Sequence, residues 1–259
     1  MTDTVRKKAE NAVVNAGRIF LDTVLDSESV IRKGLANYVT MVDFKVQEFL
    51  VEELEGIISG SNIITEESSD NRFDLDKPTW ILDPVDGTTN LMYGFNLSSI
   101  SLALFVEGMP KLGIVYNPFT SELFSAERGK GAFLNGKRVS VRDNNTLESS
   151  LICFGTSPYA KSCSEKTFSI LEKVYLKSLD VRRTGSAAID IAYVACGRIS
   201  GFFEMELQPW DYAGGMVILE EAGGKITDWH GMPVSVARGS SILATNGLIH
   251  EGLLEIIGR

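Results

Sequence analysis

Histidine is nearly missing from this chain: His230 and His250 are the only two, both near the C-terminus and neither next to a promising nucleophile. Nucleophilic mechanisms of the Ser-His-Asp or Cys-His kind need a base beside the nucleophile, so that class drops out. Both histidines read as surface residues. Cysteine is scarce too. Cys153, Cys163 and Cys196 are odd in number and lack the paired spacing of a zinc or redox site, a usage that fits a reducing cytosol. No cysteine is followed by the small residues and arginine of a cysteine-phosphatase loop, and there is no Walker A loop. GKGAFLNG lacks the third glycine of a dinucleotide fingerprint. Asp74-Leu-Asp76 begins like an aspartyl-phosphate motif, but Lys77-Pro78 follows and no apolar strand precedes it, so it reads as a solvated loop.

Positive charge is also in short supply. Lys and Arg number 25 against 34 Asp and Glu, a net charge of −9, which opposes any broad nucleic-acid or membrane surface. No apolar run approaches the roughly 18 residues of a membrane span. The opening MTDTVRKKAENAVVNAGRIF is too charged for a signal peptide. The expectation is a soluble, cytoplasmic protein.

With 259 residues, 44% of them hydrophobic, the chain can bury a large core as one domain or two fused lobes. Apolar residues at helical spacing predict a first helix from Thr4 to about Leu25. RKGLANYVTMVD reads as a connector into a second helix, stopped at Gly60. Ile63 and Ile64 suggest a brief strand with Glu66 and Glu67 at its exit. SISLALFVEG, KLGIVYNP, ELFSAERG and AFLNGKRVSV then read as strands, with a hairpin turn at Asn135-Gly136. From Ser150 strands alternate with helices: LICFG, EKTFSILEKVY, DVRR, SAAIDIAYVAC, SGFFEME, YAGGMVILEEAG, SILAT and HEGLLEII. The expected fold is an α+β or α/β layered sandwich of alternating helix and sheet layers. A boundary near 145 would separate two lobes of a single unit spanning 1–259, the first with a mixed or antiparallel sheet and the second α/β.

One stretch organises the rest: WILDPVDGTTN, residues 80–90. Trp80, Ile81 and Leu82 make a short buried strand that ends abruptly at Asp83-Pro84-Val85-Asp86-Gly87, so two carboxylates sit at a strand mouth. Thr88 or Thr89 can cap a helix there, and a helix N-terminus attracts anions. Glu66 likewise ends an apolar strand, and Asp211 follows Gln208-Pro209-Trp210 at the start of another helix. If Glu66, Asp83, Asp86 and Asp211 converge within about 4 Å, each pair repels by roughly 4 kcal/mol at an effective dielectric near 20. A divalent cation would compensate, and hard oxygen donors select Mg2+ or Mn2+ over zinc.

These residues together resemble the inositol monophosphatase family, the lithium-sensitive, magnesium-dependent phosphatases related to fructose-1,6-bisphosphatase and the 3'-phosphoadenosine phosphatases. TEES at 65–68 matches the family's acidic pair, WILDPVDGTTN its first signature, and PWDYAGGMVILEEAGG at 209–224 its second. VRRTGSAAIDIAYVACGRISGFFE at 181–204 is similar to the substrate-side segment. The resemblance implies that Glu66, Asp83, the Val85 carbonyl, Asp86 and Asp211 bind two or three Mg2+. It places an attacking water between metal, Glu66 and Thr88, with Asp43 orienting the Thr88 hydroxyl and the Gly87 and Thr88 N–H groups holding phosphate. Asp86, Gly185, Ser186, Ala187 and Glu204 would face the alcohol part of a small phosphorylated polyol, sugar or nucleotide. The implied activity is hydrolysis of phosphate monoesters, inositol monophosphate first, by a cytoplasmic homodimer. Fructose-1,6-bisphosphate, NADP or 3'-phosphoadenosine 5'-phosphate are the alternative substrates, and an inactive binding homologue is the remote one. The chain departs from the family pattern at Thr65, where glycine is common, and at Tyr93, where histidine is frequent. The basic residue before VTMVD is shifted by one, so Arg32 and Lys33 read as surface charges.

Overall fold

The computed structural model describes residues 3–23, 30–34, 37–68 and 76–258. The expected end of the first helix at Leu25, and Asp74, lie outside them. Helix α1 (Asp3–Asp22) buries Ala9, Ala12, Val13, Ala16 and Phe20 along one stripe. Strands β1 (Val30–Gly34) and β2 (Asn37–Thr40) pair antiparallel where the sequence suggests only a connector. Thr40 then caps α2 (Met41–Ile57): its hydroxyl accepts from Val42 N at 3.2 Å, while its own N–H reaches Asp43 Oδ2 at 2.8 Å.

Strands β3 (Asn62–Thr65) and β4 (Thr79–Asp86), short helix α3 (Thr88–Met92), and strands β5 (Ser99–Val106), β6 (Met109–Asn117), β7 (Glu122–Glu127), β8 (Gly131–Leu134) and β9 (Lys137–Val139) follow. They make one seven-stranded sheet in sequence order, parallel at β3–β4 and antiparallel elsewhere. Then come β10 (Leu151–Phe154), α4 (Ser164–Tyr175), β11 (Asp180–Arg182), α5 (Ala187–Ala195), β12 (Gly201–Leu207), α6 (Pro209–Glu221), β13 (Lys225–Thr227), β14 (Ser240–Thr245) and α7 (His250–Ile257). Their strands form a five-stranded mixed sheet in the order β11-β10-β12-β14-β13.

The period of two along the strands stacks these elements into five layers. Trp80 and Leu82 point from β4 to the side of α1 and α2, while Ile81 points to the side of α5 and α6. The middle layer, α5 and α6, also receives Cys153, Phe202, Ile242 and Ala244 from the second sheet, whose far face meets α4 and α7 through Ile152, Phe203 and Leu243. Both faces of both sheets are thus covered, which is why β4 is buried along its whole length.

Two local features position the site. Strand β4 does not stop at Leu82: it continues to Asp86 through a bulge between Asp83 and Asp86, where Pro84, unable to join a regular ladder, is accommodated. Helix α6 lies close against the first sheet because it is glycine-faced there. A Cβ on Gly214 would come within 3.0 Å of Ile114 O and 3.1 Å of Leu102 O, and one on Gly215 within 2.8 Å of Ile191 in α5.

Candidate metal centre

The bulge at the end of β4 aims Asp83 and Asp86 to one side of the strand. The start of α6 delivers Asp211 beside them. One carboxylate oxygen from each of the three lies within 4.8 Å of the others. Each aspartate also has an anchor that fixes its rotamer. Asp83 Oδ1 accepts from Val85 N at 2.9 Å. Asp86 Oδ2 accepts from Ala188 N at 2.8 Å and from the Ser186 hydroxyl, which caps α5. Asp211 Oδ2 accepts from Gln208 N at 2.7 Å in a capping box. Glu66, just past β3, stands outside this trio. The structure therefore brings three of the four acids within 4.8 Å of one another, with Glu66 near enough to be the largest neighbouring charge on Asp83 and Asp211.

Burial is the first cause of charge stress here. It drives Asp83 and Asp211 far above the ordinary carboxylate range, with Glu66 the largest neighbouring charge on both. Asp86 is pushed up to about 6 by burial, against its hydrogen bonds from Ser186 and Ala188. Glu66 is pushed up to about 8 by burial, then by Glu67 and Asp43, with Lys33 pulling the other way. Lys33 is thus not an idle surface charge: from β1 it forms an ion pair with Glu67, and its field reaches Glu66. Arg32 instead turns to the Gly34 carbonyl at 2.9 Å. One lysine, itself engaged by Glu67, cannot balance this set, and buried hard oxygens without histidine or thiolate suit a divalent cation.

Thr88 adjoins the trio. Its hydroxyl lies 3.2 Å from Asp43 Oδ1 and 3.0 Å from the Val85 carbonyl, and Asp43, fully buried, rises to about 6 through that burial. Gly87 precedes it with φ 87°, and a Cβ there would meet Leu97 O at 3.0 Å and Gly185 O at 3.3 Å. Asn90 of α3 donates to Leu97 O at 2.7 Å and Thr184 O at 2.9 Å, tying this turn to the segment that holds Gly185, Ser186 and Ala187. Glu204, on β12, accepts from Ser157 N at 2.7 Å and is pushed up to about 7 by burial.

Several members of this neighbourhood escape a reading of the sequence. Gly155 is glycine because a Cβ would fall within 1.9 Å of the Glu204 carboxylate. Tyr159 is largely exposed, yet its hydroxyl feels Glu66, Asp211, Asp83 and Asp86 together and is raised above the usual phenol range. Asp190 is buried in α5 with Oδ1 unpartnered. A groove lined by Phe105, Met216, Glu220 and Val234 opens near the other end of α6 and holds none of these acids.

The sequence profile of the inositol monophosphatase family matches residues 1–259. The chain belongs to that family. Its sequence is 37% identical over 206 residues to the Nus factor SuhB of Salmonella typhimurium, covering 80% of this chain and 77% of that one. It is 36% identical over 228 residues to the fructose-1,6-bisphosphatase/inositol-1-monophosphatase of Thermotoga maritima, covering 88% and 85%. The crystal structure of the extragenic suppressor protein suhB from Bartonella henselae superposes with a TM-score of 0.92 at 35% identity, covering 99% of each chain. The layered α+β sandwich is therefore the inositol monophosphatase fold, and the protein is a member of a family of phosphatases. Among the described residues no helix is long and apolar enough to cross a membrane.

Proposed function

We propose that this inositol monophosphatase family member hydrolyses small phosphate monoesters of polyols, inositol monophosphate first, with magnesium or manganese held at the acidic centre. The observation that carries this reading is the meeting of three aspartate oxygens within 4.8 Å beside a threonine hydroxyl tied to a buried carboxylate. Asp83, Asp86, Asp211, Glu66 and the Val85 carbonyl would hold two or three ions. Such ions, when bound, acidify water and neutralise charge on the phosphate.

The chain's own groups supply the rest. Asp43, its Oδ2 held by Thr40 N at 2.8 Å, accepts the Thr88 hydroxyl proton, so Thr88 turns a lone pair toward a water. Glu66 takes that water's proton as it attacks phosphorus in line; the ester P–O bond opposite breaks, the alcohol oxygen leaves with a proton from solvent water, and no phospho-enzyme forms. The Gly87 and Thr88 N–H groups hold phosphate oxygens. Asp86, Gly185, Ser186, Ala187 and Glu204 face the alcohol, and the Glu204 carboxylate suits ring hydroxyls. The double name of the Thermotoga relative supports a wider range within the class, with fructose-1,6-bisphosphate, NADP and 3'-phosphoadenosine 5'-phosphate as further candidates. Retention of every acidic position argues against a homologue that keeps the fold and has lost activity. Family resemblance also supports lithium inhibition, a homodimer and a cytosolic setting.

The test is phosphate release from inositol 1-phosphate by the purified protein. Release requires Mg2+, stops with a chelator, and falls roughly 1,000-fold or more in Asp83→Asn, since the ions supply several kcal/mol. Turnover that ignores the chelator, or that survives in Asp83→Asn, refutes the reading. Inositol phosphates ranking last in a panel of such esters would refute the substrate.

A further inference from the structure

The end of α6 away from the acidic centre carries two glutamates, Glu220 and Glu221, and its last turn holds no basic residue. That is the wrong sign for the place, because the carbonyls left over at a helix C-terminus favour a cation beside them. Glu221 has an evident use. Its two oxygens accept from Gly129 N and Gly131 N at 2.8 Å each, fastening the turn between β7 and β8. Glu220 has none: among the described residues its carboxylate makes no hydrogen bond or ion pair.

Glu220 lines a hollow of about 400 Å³ together with Met109, Pro110, Val217 and Arg128, which follows β7. The exposed Arg128 guanidinium is likewise unpaired among the described residues. Two opposite charges thus line one hollow without meeting. Pro110 and Glu220 also border an adjoining groove of about 490 Å³, walled by Met216, Ile226, Val234 and Val236. A charged chamber therefore opens onto an apolar one, and both are of a size that takes small ligands. Their walls are held in place. The β5–β6 hairpin turns through Glu107 and Gly108 at φ 54° and 70°, and the Tyr212 hydroxyl lies 2.7 Å from the Ser235 carbonyl and 2.9 Å from that of Arg238.

Charge decides what fits. A simple cation drawn to Glu220 meets repulsion from Arg128, and a simple anion drawn to Arg128 meets it from Glu220. A zwitterion offers each its complement: an ammonium for Glu220 at the helix C-terminus, and a carboxylate that the guanidinium grips with two parallel hydrogen bonds. An apolar side chain on the same carbon then has the adjoining groove to fill.

We propose that this hollow binds a free α-amino acid with an apolar side chain, its two charges held by Glu220 and Arg128 and its side chain laid against Met216, Ile226 and Val234. Such binding needs neither metal nor turnover, so it stands or falls apart from the phosphatase reading. Calorimetric titration of the purified protein with L-leucine tests it. Leucine binds, and glycine, which has no side chain to bury, binds about 10-fold or more weakly. Leucinamide and N-acetyl-leucine, each short of one charge, are weaker than leucine by about 10-fold as well. Glu220→Gln and Arg128→Gln each weaken leucine to a similar degree, and each erases one preference: Glu220→Gln that over N-acetyl-leucine, Arg128→Gln that over leucinamide. Both side chains are exposed and unpaired, so melting temperatures equal to that of the unaltered protein show that the fold is kept. No binding of leucine, leucinamide binding as tightly as leucine, or a leucine Kd that neither substitution moves overturns the proposal.

Discussion

His250 is fully buried, and both ring nitrogens are occupied: Nε2 lies 2.9 Å from the Thr227 hydroxyl and Nδ1 2.9 Å from the Thr245 hydroxyl. A ring so placed is held neutral, and burial, helped by Lys225 and opposed by Glu251, lowers it to about 4. The unfolded chain has an ordinary histidine near 6.5. Between those values the unfolded state binds the extra proton, so His250 withdraws stability as pH falls from about 6.5 toward about 4 and has no effect at higher pH. His250→Gln therefore costs more stability at pH 7 than at pH 5, read as melting-temperature differences from the unaltered protein at each pH. An equal cost at both would show that the ring is not held neutral. Reading His250 as a surface residue fails because burial is a property of α7 and β14 together, not of residue type. Asp83, Asp86, Asp211 and Glu66, by contrast, are visible in the sequence, because each stands where an apolar run breaks. Lys33, Gly155 and Tyr159 are not, since each acts through partners many residues away: Lys33 through Glu67, Gly155 through Glu204, Tyr159 through the acids themselves.

Among the elements, α6 carries the most constraint. It presents Asp211 at one end and lies between two sheets, and its approach to the first sheet depends on the missing side chain at Gly214. In Gly214→Ala the new methyl faces two backbone carbonyls that cannot step aside, so the helix must lift. We expect a loss of about 1–3 kcal/mol in stability and a weaker Mg2+ response, because Asp211 moves with its helix. Gly56, near the end of α2, has open space around a would-be Cβ, and Gly56→Ala is expected to stabilise by about 0.5 kcal/mol. Urea denaturation of both variants checks the pair; a tolerated alanine at 214 would mean that α6 is not held by close backbone contact. The same contrast explains which elements the sequence discloses. Long amphipathic or alternating segments such as α1, β5 and α4 carry enough period to be read. Strand β13 has only three residues, too few for a pattern, and β1 is largely exposed, so its hairpin lacks an apolar face to announce it. The bulge in β4 hides behind Pro84, which in isolation signals a turn.

At the scale of the whole molecule, the acidic centre draws on β3, β4 and α6 and so couples ion binding to the packing of both sheets. Buried carboxyls whose folded values lie near 6, 7 and 8, as for Asp86, Glu204 and Glu66, hold protons more tightly than the unfolded chain does. Without metal, that part of the stability is fully present below about 4 and is lost as pH rises from about 4 to about 8, Asp86's share going first and Glu66's last. A divalent cation takes the place of the protons, so its stabilising effect grows over the same interval. At 100 times its Kd, Mg2+ adds about 2.7 kcal/mol, or roughly 5–10 °C in melting temperature for a chain of this size. The expected outcome is a Mg2+-induced shift that is larger at pH 8.5 than at pH 6. Asp83→Asn removes one buried charge from the cluster: its metal-free form melts higher than the unaltered protein at pH 8.5, and its Mg2+ shift disappears. Thermal melts of the two proteins, with and without Mg2+ at both pH values, decide the matter. A substitution that lowers the metal-free melting temperature, or a Mg2+ shift that survives it, would mean that the three aspartates are held together by the fold for some purpose other than binding a cation.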